Sequence, residues 1–194
     1  MKWLSAVLLA VAATNAAAPA PEGVVREFYN RIVLDKPLGI PEGATKDALW
    51  PLMTPRLIKI IEDARACEAE YMRARGNSDE KPEFWWLEDG LFSGANEMAL
   101  PAKVEILSTE KEGERYRVTM RFTYQESFTD GRTPDPASSF QWRSAAMVAC
   151  DAKRCRVDDF IPFDIDTAKP LTPLSESFRS FCNGRHPKAS LTRQ

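Results

Sequence analysis

The sequence predicts an α+β fold, a curved antiparallel sheet wrapped around N-terminal helices with a short C-terminal helix. Three observations predict it. Helical periodicity is confined to segments before residue 77 and after residue 172. Between residues 103 and 163, apolar side chains recur at every second position over runs of strand length. Four cysteines, Cys67, Cys150, Cys155 and Cys182, are spread over both kinds of segment and offer two cross-links.

The chain opens with Lys2 and then an apolar run from Trp3 to Ala13. One positive charge before roughly a dozen apolar residues is the pattern of a secretory leader, and the run is too short to span a bilayer. Small residues Ala16-Ala17-Ala18 precede Pro19 and Pro21, which places cleavage after Ala16 or Ala17. The expected organisation is a signal peptide over 1–17, one α+β domain over 22–184 and a flexible tail over 185–194. Localisation is then periplasmic or secreted, with no membrane anchor.

The first helix carries Val24, Val25, Phe28, Tyr29, Ile32 and Val33 on one stripe and ends at Pro37, Gly39 and Pro41. A second helical stretch starts near Thr45 and restarts at Thr54-Pro55, an N-cap followed by a first-turn proline. Leu57, Ile61, Ala64, Cys67 and Tyr71 form its apolar stripe, and Gly76-Asn77 closes it. Strands are expected over Lys103–Ser108 and Arg115–Tyr124, joined by the polar link Glu110 to Glu114. In the second strand Tyr116, Val118, Met120, Phe122 and Tyr124 face one way, and Arg117, Thr119, Arg121 and Thr123 the other. A third strand puts Phe140, Trp142, Ala146, Val148 and Cys150 on one face. Asp151 to Arg154 turns it into a fourth, Cys155 to Phe163. Thr172-Pro173 starts the last helix, where Leu174, Phe178 and Cys182 align.

An even number of cysteines in an exported chain favours disulfides, and the spacing lacks the Cys-x-x-Cys pairs of zinc sites. Cys67 and Cys182 lie on the apolar stripes of their helices, so docking those faces joins them. Cys150 and Cys155 flank a short hairpin loop and face each other.

Two helices, a meander of long strands and a closing helix resemble the cone-shaped nuclear transport factor 2-like (cystatin-like) superfamily. More closely, three pieces resemble a bacterial exported family, domain of unknown function 3828. These are Val24-Val25-Arg26-Glu27-Phe28-Tyr29, Asp89-Gly90-Leu91-Phe92-Ser93 and Arg156-Val157-Asp158-Asp159-Phe160. The middle piece departs from the family pattern, in which glycine precedes the aspartate. The resemblance implies no catalytic residues, although some exported relatives of this fold act as accessory or immunity proteins.

Composition excludes several function classes. The 26 basic and 28 acidic residues nearly balance, which leaves no electrostatic footprint for nucleic acid. The single histidine, His186, falls in the tail, so no histidine triad or histidine-ligated metal site exists within the domain, and neither metal nor cofactor is expected. Two candidates remain. Strict alternation gives Asp158 and Asp159 opposite faces, and Asp159 turns inward with Val157 and Ile161 unless a bulge resets the register. An inward Asp159 is then either paired with Arg117, Arg121 or Arg143, or a general base beside Tyr116 or Tyr124 in an enclosed pocket. The second candidate is the aromatic knot Phe84-Trp85-Trp86 with Leu87, Leu91 and Phe92. Its Trp85, Trp86 and Phe92 form a partner or ligand anchor, or plug the open end of the cone.

The expected function is a non-enzymatic exported binding or envelope accessory domain, taking an envelope protein or a small apolar ligand. A cone-fold enzyme using Asp159 and a structural envelope component are the alternatives. An enzyme needs a cavity at Asp159, and a cone filled by Met120, Phe122 and Trp142 argues against one.

Overall fold

The computed structural model describes residues 20–76, 90–94, 100–125 and 139–184. Pro21 and acidic Glu22 open α1 (Pro21–Asp35), where a missing N–H costs nothing and a carboxylate suits the helix dipole. Lys36 ends it in the left-handed conformation, its N–H returned to the carbonyl of Ile32. Helix α2 (Gly43–Leu49) runs into a 3₁₀ turn, Trp50–Leu52. Thr54 then caps α3 (Pro55–Arg75), accepting the Leu57 N–H, and Gly76 follows at φ 65°. Both the Thr54-Pro55 start and the glycine stop were legible in the sequence.

Four strands follow: β1 (Lys103–Glu112), β2 (Arg115–Tyr124), β3 (Phe140–Cys150) and β4 (Cys155–Pro162). They form an open antiparallel sheet in the order β1-β2-β3-β4, and α4 (Leu174–Gly184) comes last. The first hairpin is tighter than expected. Strand β1 continues through Glu112, so the polar link shrinks to a turn at Gly113-Glu114, with Gly113 at φ 61°. Continued pairing from Thr109↔Val118 to Glu112↔Arg115 satisfies backbone groups that a longer loop would leave to water.

One face of the sheet carries the core. Val118, Met120 and Phe122 from β2, Trp142, Ala146 and Val148 from β3, and Val157 and Phe160 from β4 are all buried. Helix α1 lies on this face, with Phe28 against Phe160 and Tyr29 against Phe122, both at 5.1 Å between ring centroids. Met120, Phe122 and Trp142 thus fill the space beneath the helices.

The turn at residues 90–94 is drawn into this core. The buried hydroxyl of Tyr29 donates to the carbonyl of Phe92 at 2.6 Å, and the Trp142 indole N–H donates to that of Ser93 at 2.8 Å. Two aromatic side chains therefore spend their polar tips on backbone that burial would otherwise leave unpaired. Burial raises the Tyr29 phenol well above its ordinary value, which keeps the donor protonated.

Cys67 is joined to Cys182, fastening α3 to α4, and Cys150 to Cys155, fastening β3 to β4 across their hairpin. Both pairings are those read from the sequence. The hairpin loop is itself tied, since Asp151 Oδ1 accepts the N–H groups of Lys153 and Arg154 at 2.7 and 2.9 Å. Among the described residues no helix is long and apolar enough to cross a membrane.

Candidate functional site

Strand β4 does not alternate cleanly. Val157 sits opposite Val148 and Asp159 opposite Met147, leaving Asp158 as an extra residue. The bulge divides the strand's apolar residues between faces. Val157 and Phe160 enter the main core, whereas Ile161 joins Ala145 and Met147 in a second cluster. Asp159 therefore does not turn inward with Val157. The opposite faces that strict alternation gives the two aspartates do not leave either of them in water, because both are buried, at 7% and 6% exposure.

The bulge lies in the last strand of the sheet, where the starts of two helices meet it. Met53 makes a parallel bridge with Val157, and the Thr54 N–H donates to the Val157 carbonyl at 2.8 Å. That contact sets the first turn of α3 beside Asp158. Oδ1 of Asp158 accepts the Thr54 hydroxyl at 2.7 Å and Nε of Arg56 at 3.0 Å. Its Oδ2 accepts Nη2 of Arg56 at 3.0 Å and Nη1 of Arg115 at 3.1 Å. Burial alone raises the Asp158 carboxyl, but bonds from Arg56, Thr54 and Arg115 and the Arg56 charge hold it below its ordinary value. The side-chain bond to Asp158 likewise raises Arg56.

Asp159 serves the other helix. Its Oδ1 accepts the backbone N–H of Ser175 at 3.1 Å, and its Oδ2 accepts the Ser175 hydroxyl at 2.5 Å. Ser175 is the second residue of α4, so a carboxylate from β4 satisfies one of the helix's orphan donors and meets its positive end. The Phe160 N–H at 2.9 Å and Arg56 Nη2 at 3.5 Å complete its surroundings. The tandem aspartates are a double cap, one securing α3 through Thr54 and Arg56, the other securing α4 through Ser175.

The structure brings together few of the residues expected around Asp159. Arg117 pairs with Glu112 and Arg121 with Glu105, and Arg143 makes no ion pair among the described residues. Tyr116 and Tyr124 sit on the face of the main core, whereas Asp159 pairs in register with Met147 on the opposite face. The constellation of a base beside a tyrosine is not assembled. Phe92, read either as an anchor or as part of a plug, is 2% exposed and packs on Phe28 and Phe160 at 5.2 and 4.9 Å. A partner would have to unpack the core to reach it. Trp85, Trp86, Asp89 and His186 lie outside the described residues, as do the leader over 1–17 and the tail over 185–194.

Sequence reasoning missed Arg56, Arg115 and Ser175 as the partners of the aspartates. A signal existed for one of them. Arg56 directly follows the Thr54-Pro55 helix start, where a cation opposes the helix dipole and so calls for a compensating anion. Among the described residues no group of His, Cys, Asp and Glu is placed to hold a metal ion. Comparison of the chain with protein-family models, with curated proteins and with solved structures returns no match.

Proposed function

We propose that this chain is an exported, non-enzymatic binding or accessory domain of the bacterial envelope, of the cone-shaped nuclear transport factor 2-like type. One observation carries the reading. The chain's sharpest titratable pair, Asp158 and Asp159, is spent on holding helix starts, and aromatic side chains fill the face of the sheet where a reaction pocket would open. A carboxylate locked by two serine donors and a guanidinium is poorly placed to take a proton from a substrate. The two disulfides support export, since such bonds persist in oxidising compartments.

Expression with the chain's own leader tests the first half of this reading. The protein is expected in the osmotic-shock fraction, with an intact mass lacking about 16–17 residues. Retention of Met1 on shock-released protein overturns export. Photo-crosslinking in intact cells, from probes spread over the surface, tests the second half. A discrete cross-linked species that persists in Asp159→Asn supports binding without catalysis. Absence of any adduct, together with an envelope defect on deletion, moves the protein to a purely structural role.

A further inference from the structure

The face of the sheet opposite the main core carries five arginines, and four of them are matched by carboxylates. Arg115 pairs with Asp158 at 3.1 Å, Arg117 with Glu112 at 2.7 Å, Arg121 with Glu105 at 2.9 Å and Arg156 with Asp151 at 3.9 Å. Arg143 is the exception, with no ion pair among the described residues. Its position is also unfavourable, because Arg121 is its direct cross-strand neighbour, and like charges directly opposite each other destabilise a sheet.

A negative group stands nearby without answering that charge. The Phe163 N–H donates to the Arg143 carbonyl, which brings the following residue, Asp164, to the same place. Oδ1 of Asp164 is held by the Thr167 N–H and hydroxyl, both at 2.7 Å. These bonds within its own loop keep the carboxyl below its ordinary value. Arg143 and Asp164 nevertheless form no ion pair with each other. Both line a cleft of about 320 Å³, together with Arg121, Gln141, Ile165 and Ala168. That volume lies at the small end of the range for ligand sites. Ile165, also on the lining, is an apolar side chain 54% exposed.

We propose that this cleft binds a free α-amino acid with an aliphatic side chain, its carboxylate on Arg143 and its ammonium group on Asp164. The planar fork of the Arg143 guanidinium matches a carboxylate in geometry as well as in charge. Arg143 and Asp164, which line one cleft without pairing to each other, offer opposite charges to the two ends of a zwitterion, and Ile165 and Ala168 take the side chain. Arg143, which has no ion pair among the described residues, is then answered by the ligand's carboxylate. This inference rests on the binding reading above and gives it a ligand class.

Isothermal titration of the full oxidised protein from the periplasmic fraction tests it with three probes. They are L-leucine, 4-methylpentanoate (which lacks the ammonium group) and 3-methylbutylamine (which lacks the carboxylate). Leucine is expected to bind, the acid at least about tenfold more weakly, and the amine not measurably. Arg143→Ala is expected to abolish leucine binding without lowering Tm, since it removes an exposed group and relieves a like-charge contact. Asp164→Asn is expected to weaken leucine to the level of the acid and to leave the acid unchanged. No heat with leucine at millimolar concentration overturns the proposal, as does equal binding by Arg143→Ala. If these arms fail while the in-cell cross-link persists, the cleft is wrong and the broader binding reading stands. Loss of both removes the two together.

Discussion

Arg56 grips Asp158 from both sides of the carboxylate. Its Nε donates to Oδ1 and its Nη2 to Oδ2, each at 3.0 Å, and Nη2 also donates to the Asp158 carbonyl. The fork-to-fork geometry links the first turn of α3 to the bulge of β4, 102 residues apart. It also explains why a cation is tolerated at a helix start, where the dipole disfavours it. The bulge supplies the answering charge.

Because each aspartate holds a helix, substitution at either one should destabilise the fold. Asp158→Asn and Asp159→Asn are each expected to cost about 1–3 kcal/mol in denaturant unfolding. The cost stays below that of a fully buried pair because Arg56 and Arg115 are 40% and 47% exposed and can turn to water. A native midpoint for Asp158→Asn would show that its bonds contribute nothing, and the double-cap assignment would be lost.

The same carboxylate makes stability depend on pH. The folded-state pKa of Asp158 lies below its ordinary 3.8, so its contribution is fully present above that value. It is lost as pH falls through the lowered folded-state value. Wild-type Tm is therefore expected to fall more steeply than that of Asp158→Asn as pH is lowered below about 4. Parallel Tm curves for the two proteins over that window would contradict the linkage.

The two disulfides should contribute unequally. Cys67 and Cys182 are 115 positions apart and Cys150 and Cys155 only 5. Loop-closure entropy then gives about 4–5 kcal/mol for the long bridge and about 2 kcal/mol for the short one. Paired serine substitutions, compared by denaturant unfolding, measure both. A larger loss from the hairpin pair would show that unfolded-chain entropy is not what these bonds act on.

The turn at residues 90–94 has little freedom to change. Gly94 holds φ +70°, and a Cβ there would lie 2.6 Å from Cβ of Pro162. Gly94→Ala is expected to destabilise by at least about 1–3 kcal/mol, from overpacking with backbone strain added to it. Tyr29→Phe should cost about 1–3 kcal/mol by leaving the Phe92 carbonyl buried and unpaired. Since both substitutions loosen one turn, their effects should fall short of additivity in a double-mutant cycle. Full additivity would mean that the turn does not act as a unit.

What the sequence determined by itself is local. Thr54-Pro55 starts a helix and Gly76 follows its end because caps and φ preferences act over a few residues. The alternation of β2 survives because each residue from Arg115 to Tyr124 has a partner in β3 without interruption. The hairpin cysteines meet because the loop between them is short. The same alternation misassigned Asp158 and Asp159, because a bulge is decided by what lies across the strand. Here Met53 and Thr54 pair with the edge at Val157, and the starts of two helices call for an anion each. Phe92 reads in sequence either as an anchor or as part of a plug, because it belongs to an aromatic connecting segment with no periodicity of its own. Only the tertiary structure shows Tyr29 and Trp142 reaching across 63 and 49 positions to pair the backbone of its turn. Hydrogen-bond donors that distant leave no periodic trace, since neither their spacing nor their residue type is set by the segment they satisfy.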